Sequence, residues 1–365
     1  MKIEFKKSDF LKAFILGGSF AGKSRVLPIL DNVKCMLKEN GVLRFISSDG
    51  EQAISTKFDG TIMLSESCNF LLPYKEVVNY VKLINDASFY IIIEEDKCTI
   101  KHSKGKYNIT LADAKDFPEI SKINNNLAID IDSNDLYYAI SNSAPFLVDD
   151  SLRPIFGTIH LCIKDGMFEF CAASNITLTV FRVGDAEKNN VDFEMLINKN
   201  VIPVLLNNLK MGECCNIKVG DTNTVYTIGD TIIVARNTVG KFPNYNAVIP
   251  RDNPLRVKIN KKDITESFSR CSLSSPNDMV RLSFSENKLI VSSENFNFGK
   301  SAKEELDINC NFNLNIAFNA KKFIDCMNIF EGEEILLSLA DETRACVLSQ
   351  EGCESISVLT PMMLI

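Results

Sequence analysis

The sequence predicts an α+β protein made of three tandem similar domains, each an antiparallel sheet carrying two helices. Three observations predict it. Strand-like alternation and helical periodicity follow one another in the same order three times, so that Phe10, Leu136 and Ile264 hold matching places about 125 residues apart. Two proline-bearing connectors, DFPEI (Asp116–Ile120) and KFPNYNAVIP (Lys241–Pro250), cut the chain into three similar lengths. Each proline fixes its own φ and pushes the preceding residue to extended geometry, so neither helix nor strand runs on through such a segment. The chain has 365 residues, 45% hydrophobic and 24% charged, which is ordinary for a globular protein of two or three domains. The domain limits read from this pattern are 1–122, 123–250 and 251–365.

Each repeat opens with an alternating strand and an amphipathic helix. The first reads MKIEF then KSDFLKAFIL, with Phe10, Leu11, Phe14 and Ile15 on one helical face. The second reads LAIDI then DSNDLYYAISNSA, and the third LRVKI then NKKDITESFSRCS. A strand pair with a turn follows from Gly41, Gly166 and Asn287, with Gly50 and Asn175 at or near turns. The second helix comes next, in LLPYKEVVNYVKLI, MLINKNVIPVLLNNL and NIAFNAKKFIDCMNIF. An apolar strand leads into each, and a lysine stands near each helix start: Lys75, Lys199 and Lys321. Pro203 falls early in its helix, where proline is tolerated. Two or three strands close each repeat. Two helices per repeat can then share one face of the sheet.

Composition excludes several functions. No apolar run approaches a membrane span, and the charged start MKIEFKKSDFLKAF is not a signal peptide. The 12 cysteines lie scattered with no C-x-x-C, and several sit in apolar runs, as Cys162 and Cys171 do. They read as reduced, packed thiols of a cytoplasmic protein. Only His102 and His160 are present, so neither a metal site nor a nucleophile–base pair has the residues it needs. No cofactor and no metal are expected. Gly17–Ser24, GGSFAGKS, matches the phosphate-loop pattern, with Lys23 for phosphates and Ser24 for magnesium. A nucleotide triphosphatase is therefore an alternative reading. The pattern needs a strand before it and a helix after it; here a helix precedes, and Pro28 forbids one after. A repeat-built interaction scaffold without DNA is the other alternative.

The net charge of −7 argues against broad, tight nucleic-acid binding but leaves room for a local basic face. Cations gather on the helices of all three repeats. Lys7, Lys12, Lys23 and Arg25 surround the first helix, and Lys75 and Lys82 lie about two turns apart on the second. Lys199 and Lys210, then Lys321 and Lys322, recur on the other second helices, and Lys261, Lys262 and Arg270 mark the first helix of the third repeat. Such a surface attracts phosphates without reading bases. The C-terminus, SVLTPMMLI, is apolar and adaptable, of the kind that binds varied peptides.

With these pieces in place the chain resembles the bacterial DNA polymerase III β subunit, the sliding clamp, over essentially its whole length. The residues that carry the likeness are Leu27-Pro28-Ile29-Leu30 with Asn32, Ser48-Asp49-Gly50-Glu51, Asp116-Phe117-Pro118, Arg153-Pro154-Ile155, Phe242-Pro243-x-Tyr245 with Val248-x-Pro250, Phe318-Asn319, and Pro361-Met362-x-Leu364. The resemblance implies the DNA clamp fold: two chains joined head to tail in a dimeric ring, sheets outside and helices inside, around duplex DNA. It implies no catalytic activity, and as partners the DNA polymerase III catalytic subunit, a clamp loader and other clamp-binding proteins. The DNA lining it implies includes Lys23, Arg25, Lys75, Lys82, Arg153 and Lys199; Lys12, Lys210 and Lys321 are added from helix position alone. The partner-peptide pocket it implies is Phe156, Ile176, Thr177, Leu178, Pro243, Ala247, Val248, Asn319, Lys322, Thr343, Ala345, Thr360, Pro361, Met362, Met363 and Leu364. Here the chain departs from the family. The usual Gly-His-Arg-Leu run is Asn175-Ile176-Thr177-Leu178, the usual arginine at 247 is alanine, and the tail's usual arginine is Met363. Alignment to the family also places Tyr107 and Ile109 against Cys271 and Leu273 at the subunit interface.

Overall fold

The structure is a computed structural model that describes residues 1–24, 26–60, 62, 67–119, 127–189, 191–209 and 212–364. The first repeat runs β1 (Lys2–Lys6), α1 (Lys7–Gly17), β2 (Asn32–Leu37), β3 (Leu43–Ser48), β4 (Gln52–Lys57), β5 (Cys68–Pro73), α2 (Tyr74–Leu83), β6 (Ser88–Glu94), β7 (Lys97–His102) and β8 (Gly105–Thr110). The second runs β9 (Leu127–Asp132), α3 (Ser133–Ser143), β10 (Thr158–Lys164), β11 (Met167–Ala173), β12 (Thr177–Val183), β13 (Glu194–Asn198), α4 (Ile202–Asn208), β14 (Cys214–Val219), β15 (Asn223–Ile228) and β16 (Thr231–Arg236). The third runs β17 (Leu255–Asn260), α5 (Lys261–Ser272), β18 (Met279–Ser285), β19 (Lys288–Asn295), β20 (Lys300–Asp307), β21 (Leu314–Asn319), α6 (Ala320–Asn328), β22 (Glu334–Leu339), β23 (Cys346–Ser349) and β24 (Ile356–Leu359).

The order of elements is the same in all three repeats, as the sequence periodicity requires. Where a strand pair was expected after the first helix, a third strand precedes it: β2, β10 and β18. β2 and β18 bury every second side chain, the same period-2 signal as the strands that were expected.

Pairing is antiparallel throughout. One sheet has the order β1-β6-β7-β8 and another β20-β19-β18-β21. The other two are eight-stranded and each joins strands of two repeats. β4 pairs with β16 in one, through Ile54 opposite Ile233, and β12 pairs with β24 in the other, through Leu178 opposite Val358. The chain accordingly divides into two compact units, Met1–Asn134 with Pro203–Asn237, and Asp135–Ile202 with Thr238–Ile365. A repeat boundary is thus not a sheet boundary. The expected boundary between residues 122 and 123 lies outside the described residues.

In the first unit, α1 packs Phe10 and Phe14 onto Phe5, Phe45 and Phe89, with ring centroids 4.9 to 5.9 Å apart. Every one of these rings is buried. They sit at the edge-to-face and offset geometries that aromatic pairs prefer. In the second unit, Phe268 of α5 stacks on Phe323 of α6 at 4.0 Å. Both of those helices start on an asparagine cap: Asn260 accepts from the Asp263 amide and Asn319 from the Lys322 amide. All twelve cysteines are free thiols. Among the described residues no helix is long and apolar enough to cross a membrane.

Candidate functional sites

The Gly17–Ser24 loop does not cradle phosphate. It leaves the end of α1 and enters a 3-10 turn at Pro28–Asp31, so the strand and helix that the phosphate pattern needs are both missing. The amides of residues 18–22 are already used. The Gly18 and Ser19 amides donate to the Phe14 and Leu16 carbonyls, Phe20 to the Ser47 hydroxyl, Ala21 to Gly18 and Gly22 to Leu30. A phosphate nest needs such N–H groups free and convergent. This overturns the nucleotide triphosphatase alternative. Gly22 has φ of 72°, which lets the loop turn back. A side chain at Gly22 would lie 3.5 Å from Lys75 Cε, so Lys75 of α2 runs along this loop. Lys23 holds its ammonium 5.0 Å above the Phe20 ring. Among the described residues neither lysine has an ion-pair partner. Lys82 is exposed in the last turn of α2, and Lys7 caps that turn by donating to the Lys82 and Ile84 carbonyls. Arg25 lies outside the described residues.

The second repeat builds the matching arrangement in the second unit. Arg153 stands before a 3-10 turn at Pro154–Gly157, and a side chain at Gly157 would meet Lys199 Cδ at 3.5 Å. The electrostatics differ. Arg153 Nε donates to Asp150 at 2.9 Å and its guanidinium covers the Phe156 ring at 5.1 Å. Lys199 is paired with Asp149. Arg153 holds the Asp150 carboxyl below its ordinary pKa. Lys12 and Lys321 are exposed, and Lys210 lies outside the described residues.

The residues of the expected peptide pocket all fall in the second unit. Their floor is a buried cluster of Leu178, Val347 and Val358 from the sheet with Phe242 and Tyr245 from the connector, flanked by Phe156, Ile249 and Ala345. Two backbone bonds dock the tail across it: the Thr360 amide donates to the Ile176 carbonyl at 2.9 Å, and Met362 to Ala317 at 2.7 Å. Ile176, Val248 and Met363 stand out from this floor, 42%, 63% and 86% exposed. Pro243, Ala247, Thr343 and Thr360 are also exposed; Pro361, Met362 and Leu364 are half-buried, while Thr177 and Leu178 are buried beneath them. Asn319 is occupied as the cap of α6, and Lys322 donates to the Pro145 carbonyl at 2.7 Å.

A polar network under the connector was not read from the sequence. Glu169 is buried, accepts from Arg182 Nε at 2.7 Å and takes the Tyr245 hydroxyl proton donation. Burial, with Glu169 beside it, pushes the Tyr245 phenol far up. The signal was present: a carboxylate inside the apolar strand MFEFCAA needs a partner. His160 is packed, stacked on Phe242 at 5.2 Å with Nε2 3.0 Å from Glu194.

Of the expected interface residues, Tyr107 and Leu273 can be reached by a partner. Tyr107 stacks on Tyr80 at 4.6 Å and Leu273 is 81% exposed. Ile109 and Cys271 are buried inside their own units, where they support the edge rather than face outward. Both β8 and β20 are end strands of their sheets. Among the described residues no cluster of three metal-ligating side chains occurs.

Two family models match the chain: the DNA polymerase III beta subunit N-terminal domain over residues 1–121, and its C-terminal domain over residues 246–363. The beta sliding clamp of Haemophilus influenzae is 22% identical over 345 residues, covering 93% of each chain. That of Bacillus subtilis is 22% identical over 343 residues, covering 90% of each. Among solved structures, the DNA polymerase sliding clamp of Bacillus subtilis superposes over the whole of both chains with a TM-score of 0.93 at 20% identity. A Pseudomonas aeruginosa sliding clamp bound to griselimycin gives 0.92 at 21%, again over the whole of both chains.

Proposed function

The chain belongs to the DNA polymerase III β-subunit family, and from that premise we propose that it is a sliding clamp, which encircles duplex DNA and tethers the replicative polymerase and other replication and repair proteins. It does so as a processivity factor without catalysis of its own, in the cytoplasm. The three repeats, 1–122, 123–250 and 251–365, form half of a closed ring, and two chains complete it head to tail. The edge strands β8 and β20 meet at the junction, with Tyr107 and Leu273 at its surface. Leaving such edges bare would invite uncontrolled pairing.

The observation that carries this reading is the recurrence of one cationic arrangement in two repeats, Lys23 with Lys75 and Arg153 with Lys199, in a chain of net charge −7. A ring holds DNA by topology, so a weak, sequence-blind set of phosphate contacts is enough. The acidic remainder keeps DNA off other surfaces. Loading onto nicked circular DNA tests it. The protein should persist on the circle and leave when the DNA is cut to a linear form; equal retention on both would mean it does not encircle DNA, as a scaffold would not.

Partner peptides dock, in this reading, on the floor of Leu178, Val347 and Val358 between the connector and the tail. Its rim of Ile176, Val248 and Met363 favours apolar anchors over acidic flanks. Titration with a clamp-binding peptide carrying acidic flanks checks this. Neutralising those flanks should leave affinity unchanged, and a tenfold loss would contradict it.

A further inference from the structure

Each eight-stranded sheet carries a cleft at the same point of its repeat pair. In the first unit it lies between α1, the end of β4 and the β15–β16 turn, with a volume of 440 Å³. Lys57 there pairs with Asp230 at 3.1 Å. In the second unit it lies between α3, the end of β12, the residues after α6 and the turn before β24, with a volume of 740 Å³. Arg182 takes the place of Lys57, sixteen positions on from Gly166 as Lys57 is from Gly41, and pairs with Glu354 at 2.8 Å. The fold thus supplies the cleft in both units, and the side chains on the helix wall are free to differ.

They do differ. With Phe10 and Leu136 matched, Lys12 in the first cleft corresponds to Tyr138 in the second. Tyr137 and Tyr138 are 43% and 53% exposed, their rings edge to face at 6.2 Å. Both are exposed rather than core residues, and both line the cleft. Glu331 lines the same space; it makes no ion pair among the described residues, and Lys261, which donates to the neighbouring Phe330 carbonyl, is the cation that acts on it electrostatically. Arg182, the one cation among the described residues that line the cleft, is shared by Glu354 and the buried Glu169. Aromatic faces with surplus carboxylate repel phosphate and suit a cation. A planar guanidinium can stack on a ring and bond a carboxylate at once, which an ammonium does less well.

We propose that this cleft docks an arginine-bearing segment of a partner protein, with a guanidinium against Tyr137 and Tyr138 and Glu331 as its counter-charge. The site goes beyond the clamp reading and does not rest on it. The test uses the full chain and three labelled probes: a short peptide of alternating glycine and arginine, its citrulline counterpart, and oligo-thymidine. The arginine peptide should bind saturably and the citrulline peptide much more weakly. Tyr137→Ser and Tyr138→Ser should each weaken the arginine peptide about two- to fivefold. Glu331→Gln should weaken it as well, while Asp59→Asn in the first cleft should not. Binding that ignores both tyrosine substitutions would overturn the proposal, as would oligo-thymidine binding that those substitutions abolish. All the substituted side chains are exposed, so the variants should fold, and the circular-DNA assay reports the clamp activity independently.

Discussion

The first and second repeats build one cationic corner twice and charge it differently. In each, a cation in the loop ahead of a 3-10 turn belongs to the same corner as a lysine at the start of the second helix or just before it. Lys23 and Lys75 make no ion pair among the described residues, although Asp31 shares the space at Gly22 with Lys75, whereas Arg153 and Lys199 are held by Asp150 and Asp149. In the proposed DNA surface, then, what a cation can give to phosphate depends on its neighbours as well as on its position in the fold. A free surface lysine releases its counterion when a phosphate arrives. A paired one must first exchange a carboxylate for a phosphate, and the net gain is smaller even though the pair itself is weak.

The largest expected effect follows from the free pair. Replacing Lys23 and Lys75 together by alanine should reduce the slope of log affinity against log salt for duplex DNA by roughly 1.8, two phosphate contacts' worth. Replacing Arg153 and Lys199 should reduce it by clearly less. Fluorescence anisotropy on a labelled duplex across a salt series measures both. Equal losses would break the comparison, since the carboxylates would then be silent. A smaller effect runs the other way. Asp149→Asn with Asp150→Asn should free the second corner, raising duplex affinity about severalfold and steepening its salt slope toward that of two free contacts. No change in slope would mean that Arg153 and Lys199 face away from the DNA path.

The corner shows how far the sequence is legible. Its cations could be named in advance because periodicity places Lys75 and Lys199 at matching helix starts. Its partners could not. Asp149 and Asp150 carried no signal of it, since side-chain pairing depends on rotamers that a pattern of residue types does not encode. The same limit hid Glu169. It lies opposite Arg182 across β11 and β12, a pairing that exists only once register is fixed. Repeat order, by contrast, was readable because apolar spacing alone dictates it. The sharing of a sheet by β4 and β16 was not, because nothing in either strand marks its edge for the other. The phosphate-loop match at Gly17–Ser24 failed for a related reason: the pattern counts residue types, while function needs the amides unpaired. In the proposed peptide surface, the resemblance named Leu178 and Asn319, whereas the use of Asn319 as a helix cap was not legible.

The smallest effect concerns pH. Arg153 donates to the Asp150 carboxyl, and the Leu152 and Arg153 amides bond it as well, so its pKa lies below the ordinary 3.8. A carboxylate with a depressed folded pKa keeps its interaction above the unfolded value and loses it only as pH falls through the folded one. The tie on Arg153 should therefore hold from about pH 7 down to about pH 5, and acidification over that range should not release this corner for DNA. Carbon-detected NMR of the Asp150 carboxyl gives the direct reading, with a midpoint expected below 3.8. The Arg153 Nε proton should shift with the same midpoint, and that shift should vanish in Asp150→Asn. Because the pair is solvent-exposed, overall stability should barely move across the transition. A midpoint at or above the ordinary value would mean that Arg153 is not committed to Asp150 in solution. The two corners would then be electrostatically alike, and the difference in salt slope would have to come from elsewhere.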